Sequence, residues 1–182
     1  APDRDKPVSG CMVPHEVFSS CAGAAIYRKS VFDEIGLFDE SFFAYLEDMD
    51  IGYRARLAGY RNLYNPYAKV YHLGSASSGS RHNAFKVELS ARNSMYMLRK
   101  NMPAWQMVLN VPFIAAGIII KTVYFARKGL VTAYLKGIVK GLSGKLRNTS
   151  KNAGEKHKDT GFATYLGLQM WLFRGMIKRV KK

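Results

Sequence analysis

Short apolar runs alternate with polar residues in the first half of the chain, and Gly, Pro and Asn interrupt them. Such runs, mixed with brief helical patterns, are typical of an α/β or α+β domain. The pattern predicts strands at 21–27, 63–64 and 68–73, and helices at 30–35 and 48–58. Ser30 can cap the first helix and Gly36 can end it, while Gly59 stops the second. A turn at Asn65-Pro66 separates the last two strands.

The second half of the chain has a helical pattern from Phe85 onward. Between Lys100 and Lys121 lie 20 uncharged residues, enough to cross a bilayer core. Prolines and side-chain amides interrupt this run and favour a kinked or interfacial helix. From this pattern alone, a spanning helix and an in-plane helix both stay open for residues 105–126.

Two basic amphipathic helices are predicted after this run. In the first, the predicted apolar face is Val131, Leu135, Ile138, Leu142 and Leu146, and the basic face is Lys136, Lys140 and Arg147. Gly137 and Gly141 form a small-xxx-small pair, but their lysine neighbours argue against a helix interface there. Residues 161–182 repeat the theme. Such helices lie in the plane of anionic membranes. The alternative is that they pack on the first half or on each other and the lysines face solvent.

The net charge of +15 belongs entirely to the second half. Residues 1–98 carry 11 Lys/Arg and 11 Asp/Glu, whereas residues 99–182 carry 17 Lys/Arg and only Glu155 and Asp159 as acids. This asymmetry indicates an anionic partner, and both a nucleic acid and the cytoplasmic face of a membrane qualify. Cys11 and Cys21 lack metal-ligand spacing, so free thiols in a reducing compartment are expected.

Three carboxylates, Glu47, Asp48 and Asp50, fall within four residues at the start of the second predicted helix. A helix N-terminus stabilises ionised carboxylates and can present them to a cleft. Asp50 is also spaced for an i,i+4 pair with Arg54. Acidic residues are common at the start of solvated helices, so on local grounds a catalytic cluster and an ordinary helix start both remain open.

Several motifs in fixed order surround this cluster. They are a Gly-Ala strand ending in Arg at 23–28, G-x-F-D-E-x-F-F at 36–43, E-D-x-D at 47–50, R-x-x-x-x-G at 54–59 and P-x-A-x-x-x-H at 66–72. Over residues 18–100 the chain resembles the acceptor-side half of glycosyltransferase family 2 enzymes, and it is similar to bacterial rhamnosyltransferase-like enzymes. The resemblance implies an α/β fold, an incomplete GT-A (Rossmann-like) half-domain at 1–100, followed by an all-helical membrane-association region at 101–182.

The resemblance also implies roles for individual residues. Asp48 would be the general base that deprotonates an acceptor hydroxyl. Glu47 and Asp50 would orient the acceptor or support the helix start, and Gly23 would let the backbone approach the sugars. His72 would complete the coordination of Mg²⁺ or Mn²⁺ on the donor diphosphate.

Three further residues are candidates for the donor diphosphate: Arg81, His82 and Arg92. Their alternative is a solvated or salt-bridged helix face. The family's D-x-D donor motif has no convincing counterpart, since Asp3-Arg4-Asp5 lacks a preceding strand and Asp48-Met49-Asp50 lies inside the acceptor-side match. The chain is therefore expected to be an inactive fragment of a longer protein.

The predicted activity is inverting transfer of a sugar from a nucleotide-sugar donor to a hydroxyl of a glycan or lipid-linked acceptor. Two other classes stay open. One is a basic module that binds a membrane or, through lysines and stacked aromatic rings, a single-stranded nucleic acid. The other is a catalytically inactive glycosyltransferase-like scaffold. Nucleic acid is the less favoured partner because the cations lie opposite apolar stripes.

Overall fold

The computed structural model describes residues 13–70, 83–144 and 161–180, with side chains in the last range described to residue 174. These ranges are mostly helical and contain six α-helices and one sheet of two strands. The elements are β1 (His15–Val17), α1 (Lys29–Ile35), α2 (Glu47–Leu57), β2 (Asn62–Tyr64), α3 (Ala84–Asn101), α4 (Ala104–Ala126), α5 (Val131–Ser143) and α6 (Phe162–Val180). Short 3₁₀ helices at Ala22–Ala24 and Glu40–Phe42 precede α1 and α2.

The sheet is a short antiparallel pair in which His15 of β1 lies opposite Tyr64 of β2. No Rossmann-like sheet is seen in the described residues, so the predicted GT-A half-domain is not seen there either. The strand predicted at 21–27 is wrong, because a 3₁₀ helix and irregular chain occupy it. A strand needs a paired edge and a covered face, and Ile26 is fully exposed. Residues 68–70 are not a strand either, and 71–73 lie outside the described residues.

Helices α1 and α2 are confirmed to within one residue at each end. Gly36 ends α1 with φ 79°, and its N–H donates to the Phe32 carbonyl at 2.9 Å. Ser30 is not the cap as predicted, because α1 begins at Lys29 and no side chain caps it. Gly59 follows α2 with φ 86°, a left-handed conformation that favours glycine. The turn at Asn65-Pro66 is also confirmed, since the Tyr67 N–H donates to Asn65 Oδ1 at 3.0 Å.

Helix α5 packs along α3 at very short range. A Cβ built on Gly137 would lie 2.3 Å from the Glu88 carbonyl oxygen, and one on Gly141 would lie 2.4 Å from that of Arg92. The two glycines therefore form the helix interface that their lysine neighbours argued against. The apolar face predicted for α5 is partly wrong, because Leu135 and Leu142 are exposed.

Lysines of α5 form ion pairs across this interface. Lys136 and Lys140 both pair with Glu88 of α3, and the hydrogen bond from Lys140 is the main reason that the pKa of Glu88 lies below its usual value. These two lysines of α5 thus reach back to α3 from beside the glycines. The glycines allow the backbones to approach, and the lysines then reach a partner carboxylate.

Helix α4 is long and apolar enough to cross a membrane, judged by length and composition alone, and it is the one such helix in the described residues. Only 6% of its most apolar stretch is buried within the protein. Pro112 lies inside α4, which nevertheless runs unbroken over Ala104–Ala126.

Helix α6 joins α4 through side-chain amides. Gln106 Nε2 and Asn110 Nδ2 donate to Gln169 Oε1 at 2.9 and 2.8 Å, and Gln169 Nε2 donates to Asn110 Oδ1 at 3.1 Å. The Tyr53 hydroxyl of α2 donates to Gln106 Oε1 at 2.9 Å. All three amide residues are buried, so this chain of hydrogen bonds fixes α4 and α6 to α2.

Candidate functional site

The acidic cluster follows a loop with unusual backbone conformation. Phe43, Tyr45 and Leu46 have φ of 61°, 68° and 70°, and they are the non-glycine residues with positive φ in the described chain. Such conformations cost of order 1–3 kcal/mol each and persist only where neighbouring contacts enforce them. Three of them directly before Glu47 mark this loop as a candidate site.

Helix α3 holds the loop in place. Asn93 Nδ2 lies 2.9, 2.7 and 2.8 Å from the carbonyl oxygens of Phe42, Ala44 and Tyr45, which share its two N–H donors. Asn93 is fully buried, so its amide replaces the water that these carbonyls would otherwise bind. Asn93 was not among the residues predicted from the sequence.

Arg92, predicted as a donor-binding residue, contacts the same loop. Its guanidinium donates to the Ser41 carbonyl at 2.7 Å and to Asn93 Oδ1 at 3.1 Å, and lies 5.9 Å from the centre of the Tyr96 ring. In this arrangement Arg92 positions the loop. These contacts are neither a solvated nor a salt-bridged helix face, and the donor-binding role of Arg92 stays a prediction.

A network of buried charges lies behind the loop. Asp50 is fully buried and pairs with Arg54 at 2.8 Å, which confirms the predicted i,i+4 pair. Lys100 of α3 bridges Asp39 at 2.7 Å and Asp50 at 3.1 Å, and Asn101 Nδ2 donates to Asp50 Oδ1 at 2.9 Å. With both oxygens occupied, Asp50 fits the second of its two predicted roles, support of the helix start.

Arg54 connects this network to the preceding turn. Its guanidinium donates to the carbonyls of Ile35, Gly36 and Leu37, the last at 2.9 Å. These carbonyls belong to the last residue of α1 and to the turn after it, so Arg54 fixes the turn that leads to Asp39. The sequence signal for this network was present but not used: Asn93, Tyr96 and Lys100 share one face of α3 at spacings of three and four residues.

Asp48 lies at the edge of this buried network and is partly exposed. Its Oδ1 accepts from its neighbour Met49 N–H at 2.8 Å, and its Oδ2 accepts from the Ala22 N–H at 3.3 Å. The second bond joins α2 to the exposed 3₁₀ helix that contains Gly23. Asp48 is thus anchored on two sides by backbone donors and is still partly exposed.

A close backbone contact brings residue 19 to α2. The Ser19 hydroxyl donates to the Asp48 carbonyl at 2.6 Å, and a Cβ on Gly52 would lie 2.5 Å from Ser19 Cβ. Only glycine at position 52 permits this approach. Gly23, in contrast, is exposed, and a Cβ built on it would meet Cys21 Sγ at an ordinary 3.9 Å. The approach predicted for Gly23 was to the sugars and stays a prediction, whereas the close contact at Gly52 was missed by the sequence analysis.

Two polar atoms in the Asp48 region are buried and have no hydrogen-bond partner within the described residues, Tyr27 Oη and Glu47 Oε2. Burial raises the pKa of Tyr27, and the carboxylates of Asp48 and Glu47 raise it further. A neutral phenol can donate a hydrogen bond, and a carboxylate oxygen can accept one. Tyr27 and Glu47 therefore each have a polar atom near Asp48 that forms no hydrogen bond within the described residues.

Residues predicted for the donor and the metal lie outside the described residues: His72, Arg81 and His82. In the ranges that are described, no three His, Cys, Asp or Glu side chains come together in a way that could hold a metal ion. The acidic cluster alone does not fit a metal site, because Asp50 points into the charge network and Asp48 is bound by backbone N–H groups.

Comparison with known proteins shows partial similarity to a glycosyltransferase. The chain is 43% identical over 54 residues to N-acetylglucosaminyl-diphospho-decaprenol L-rhamnosyltransferase from two strains of Mycobacterium tuberculosis, a stretch covering 30% of this chain and 18% of that protein. It is 32% identical over 80 residues to the uncharacterized protein y4gI of Sinorhizobium fredii, covering 43% of this chain and 9% of that protein. The matched stretches span less than a fifth of these relatives. No family model and no solved structure matches the chain.

Proposed function

We propose that this chain is the acceptor-side part of an inverting glycosyltransferase, with Asp48 as its general base. The observation that carries the proposal is the strained loop at 43–46, which places a surface-reaching carboxylate at the start of α2. The partial similarity to a rhamnosyltransferase supports the same class. By that relative's name, an activated L-rhamnose and a prenyl-diphosphate-linked N-acetylglucosamine are the first substrates to test.

The proposed step is a single displacement. The acceptor oxygen forms a bond to the anomeric carbon as its proton passes to an Asp48 carboxylate oxygen. The bond from that carbon to the diphosphate breaks, and the nucleoside diphosphate leaves with the bonding electrons. Glu47 and Tyr27 would orient the acceptor, Asp50 would hold α2, and Gly23 would lie on the acceptor side.

The donor side of the site is proposed from the family resemblance. His72 would supply one ligand to Mg²⁺ or Mn²⁺, which would neutralise charge on the leaving diphosphate. The other ligands would come from the D-x-D motif expected outside residues 1–182. The GT-A sheet would likewise be completed there, and Ile26 and Leu63 are exposed apolar positions that a larger sheet would cover.

The second half is proposed to hold the enzyme on the cytoplasmic face of a membrane. Its 17 Lys/Arg oppose two acidic residues, and each cation near an anionic surface adds about 1 kcal/mol of attraction. A lipid-linked acceptor would be presented at the same surface.

Asp48→Asn in the full-length protein tests the proposed base. We expect turnover of the rhamnose donor and prenyl-linked acceptor to fall by roughly 10²–10⁴-fold, because the carboxamide cannot take the proton. Donor binding and the melting temperature should stay nearly constant, since Asn keeps an acceptor oxygen for a backbone N–H. The measurement is initial transfer rate beside donor titration calorimetry.

The matched control is Asp33→Asn, the same chemical change at an exposed position on α1. It should leave the rate unaltered. Turnover by the Asp48 variant equal to that of the control would remove Asp48 as the base.

A further inference from the structure

Helix α4 turns back along the helices that carry the site. Gly137 lies beside Glu88 and Gly141 beside Arg92, so α3 and α5 run parallel. Because α4 connects the end of α3 to the start of α5, it runs antiparallel to both. The contact of the Phe125 and Tyr134 rings, 5.2 Å between centres, places the end of α4 beside the start of α5.

This path starts α4 beside the end of α3, at the level of the site, and returns it to the start of α5. Residues 92–101 of α3 hold the strained loop and the buried charges described above. An α4 that crossed a bilayer would draw its neighbours α3 and α5 into the hydrocarbon, together with Glu88, Arg92 and Arg99. Charged groups at that depth are strongly disfavoured.

The side of α4 turned away from the protein is continuously apolar. Gln106 and Asn110 are buried against α6, and on the opposite side Val108 and Ile119 are 71% and 63% exposed. We call this side the outer face. It also includes Pro112 and Ala115, which lie between Val108 and Ile119 and are exposed. Every exposed residue of α4 from Val108 to Ile120 is uncharged and apolar.

Cations lie at the end of α4 without acidic neighbours. Lys121 and Arg127 are exposed and form no ion pair within the described residues, and residues 99–182 contain two acids in all. A second copy of this chain would bring the same positive charge against itself. An apolar face on a helix that ends in cations instead complements an anionic lipid surface.

We propose that α4 lies in the plane of an anionic lipid bilayer, with its outer face at the headgroup–acyl boundary, and does not cross the bilayer. The inference deepens the membrane association proposed above. It is independent of the identity of the base. It commits the protein to one orientation, with the site-bearing α3 and α2 on the water side of α4.

Nitroxide depth measurements test the orientation. Val108→Cys and Ile119→Cys are each introduced into the full-length protein in a Cys11→Ser, Cys21→Ser background and labelled. The two positions are 11 residues apart, about three turns, and so point the same way at a separation of about 16 Å along the helix. On phosphatidylcholine vesicles containing phosphatidylglycerol, both labels should show the same shallow depth. Depths that differ by about 16 Å would overturn the proposal in favour of a spanning helix.

Vesicle flotation tests the surface itself. The pair Val108→Asn and Ile119→Asn should weaken binding to these vesicles by roughly tenfold or more, because two apolar side chains no longer leave water. The control pair Leu37→Asn and Val70→Asn, also exposed and apolar, should bind like the wild type. Added salt should weaken both wild type and control.

Other occupants of the outer face are separate outcomes. A dimer in light scattering that the Val108 and Ile119 pair dissociates, without vesicle binding, would assign the face to a second copy. Retention of single-stranded DNA without vesicle binding would assign the cations to nucleic acid. Either result overturns the proposal. The proposed transferase activity is tested separately, by comparing the transfer rates of the wild type and Asp48→Asn on a short-chain soluble acceptor.

Discussion

At the scale of single residues, Asp50 is the centre of the site's support. Asp50→Ala leaves Arg54 and Lys100 without their shared carboxylate, and Arg54 is almost wholly buried. Removing one partner of a buried pair costs about 3–5 kcal/mol, so we expect that loss in the free energy of unfolding. Urea denaturation followed by circular dichroism measures it. Asp33→Ala, at an exposed site, should change the same quantity by about 0.5 kcal/mol or less; equal losses would contradict the network.

For these residues, contacts within one helix were predicted from the sequence, but contacts between distant parts of the chain were not. The Asp50–Arg54 pair follows from helix spacing alone, and it is present. Asn93 and Lys100 were missed because their partners lie about fifty residues away: the spacing on α3 shows which residues share a face, but not what that face contacts. The same holds for Gly52, whose close neighbour is Ser19.

At the scale of helices, the α3–α5 interface depends on two glycines of α5, Gly137 and Gly141, which have no side chain to separate the backbones. Gly137→Ala would place a Cβ against the Glu88 carbonyl and 2.8 Å from Ala91 Cβ, and neither backbone can yield easily. We expect a loss of about 1–3 kcal/mol in unfolding free energy, measured by urea denaturation.

Gly167→Ala on α6 is the matched control, because a Cβ built there would have no atom of the described residues within 4 Å. Alanine is the better helix former, so this change should be neutral or stabilise by up to about 1 kcal/mol. A Gly137→Ala protein that is stabilised as well would show that the helices separate without cost.

The ends of the helices were predicted better from the sequence than the sides that they bury. The ends of α1 and α2 follow from Gly36 and Gly59, which act locally, and both were predicted. The buried side of α5 was not, because close packing selected the small residues Gly137 and Gly141 over the exposed leucine Leu135. The strand at 21–27 failed for a related reason, since pairing is decided by distant residues.

At the scale of the whole molecule, three buried amides and one phenol join α2, α4 and α6. α6 has a second attachment, because Trp171 packs on Phe18 at 5.5 Å between ring centres and Arg56 lies 4.6 Å from the Trp171 ring. Helix α2 is held mainly by the Arg54 network instead. The attachment of α6 and the geometry of the site can therefore be separated by experiment.

Gln169→Leu removes the shared acceptor of Gln106 and Asn110, so each of these buried amides loses a partner for one N–H, and Asn110 Oδ1 loses its donor. Each such group costs about 1–3 kcal/mol, and that cost falls on the docked state of α6. Amide hydrogen exchange should therefore become faster in residues 162–174, while α2 keeps its protection because Asp50 and Arg54 are untouched. Met170→Leu, an exposed change at the next position, should exchange like the wild type. Equal protection of α6 in all three proteins would mean that the ring contacts of Trp171 hold it, whereas lost protection in α2 as well would mean that α6 and the site unfold as one unit.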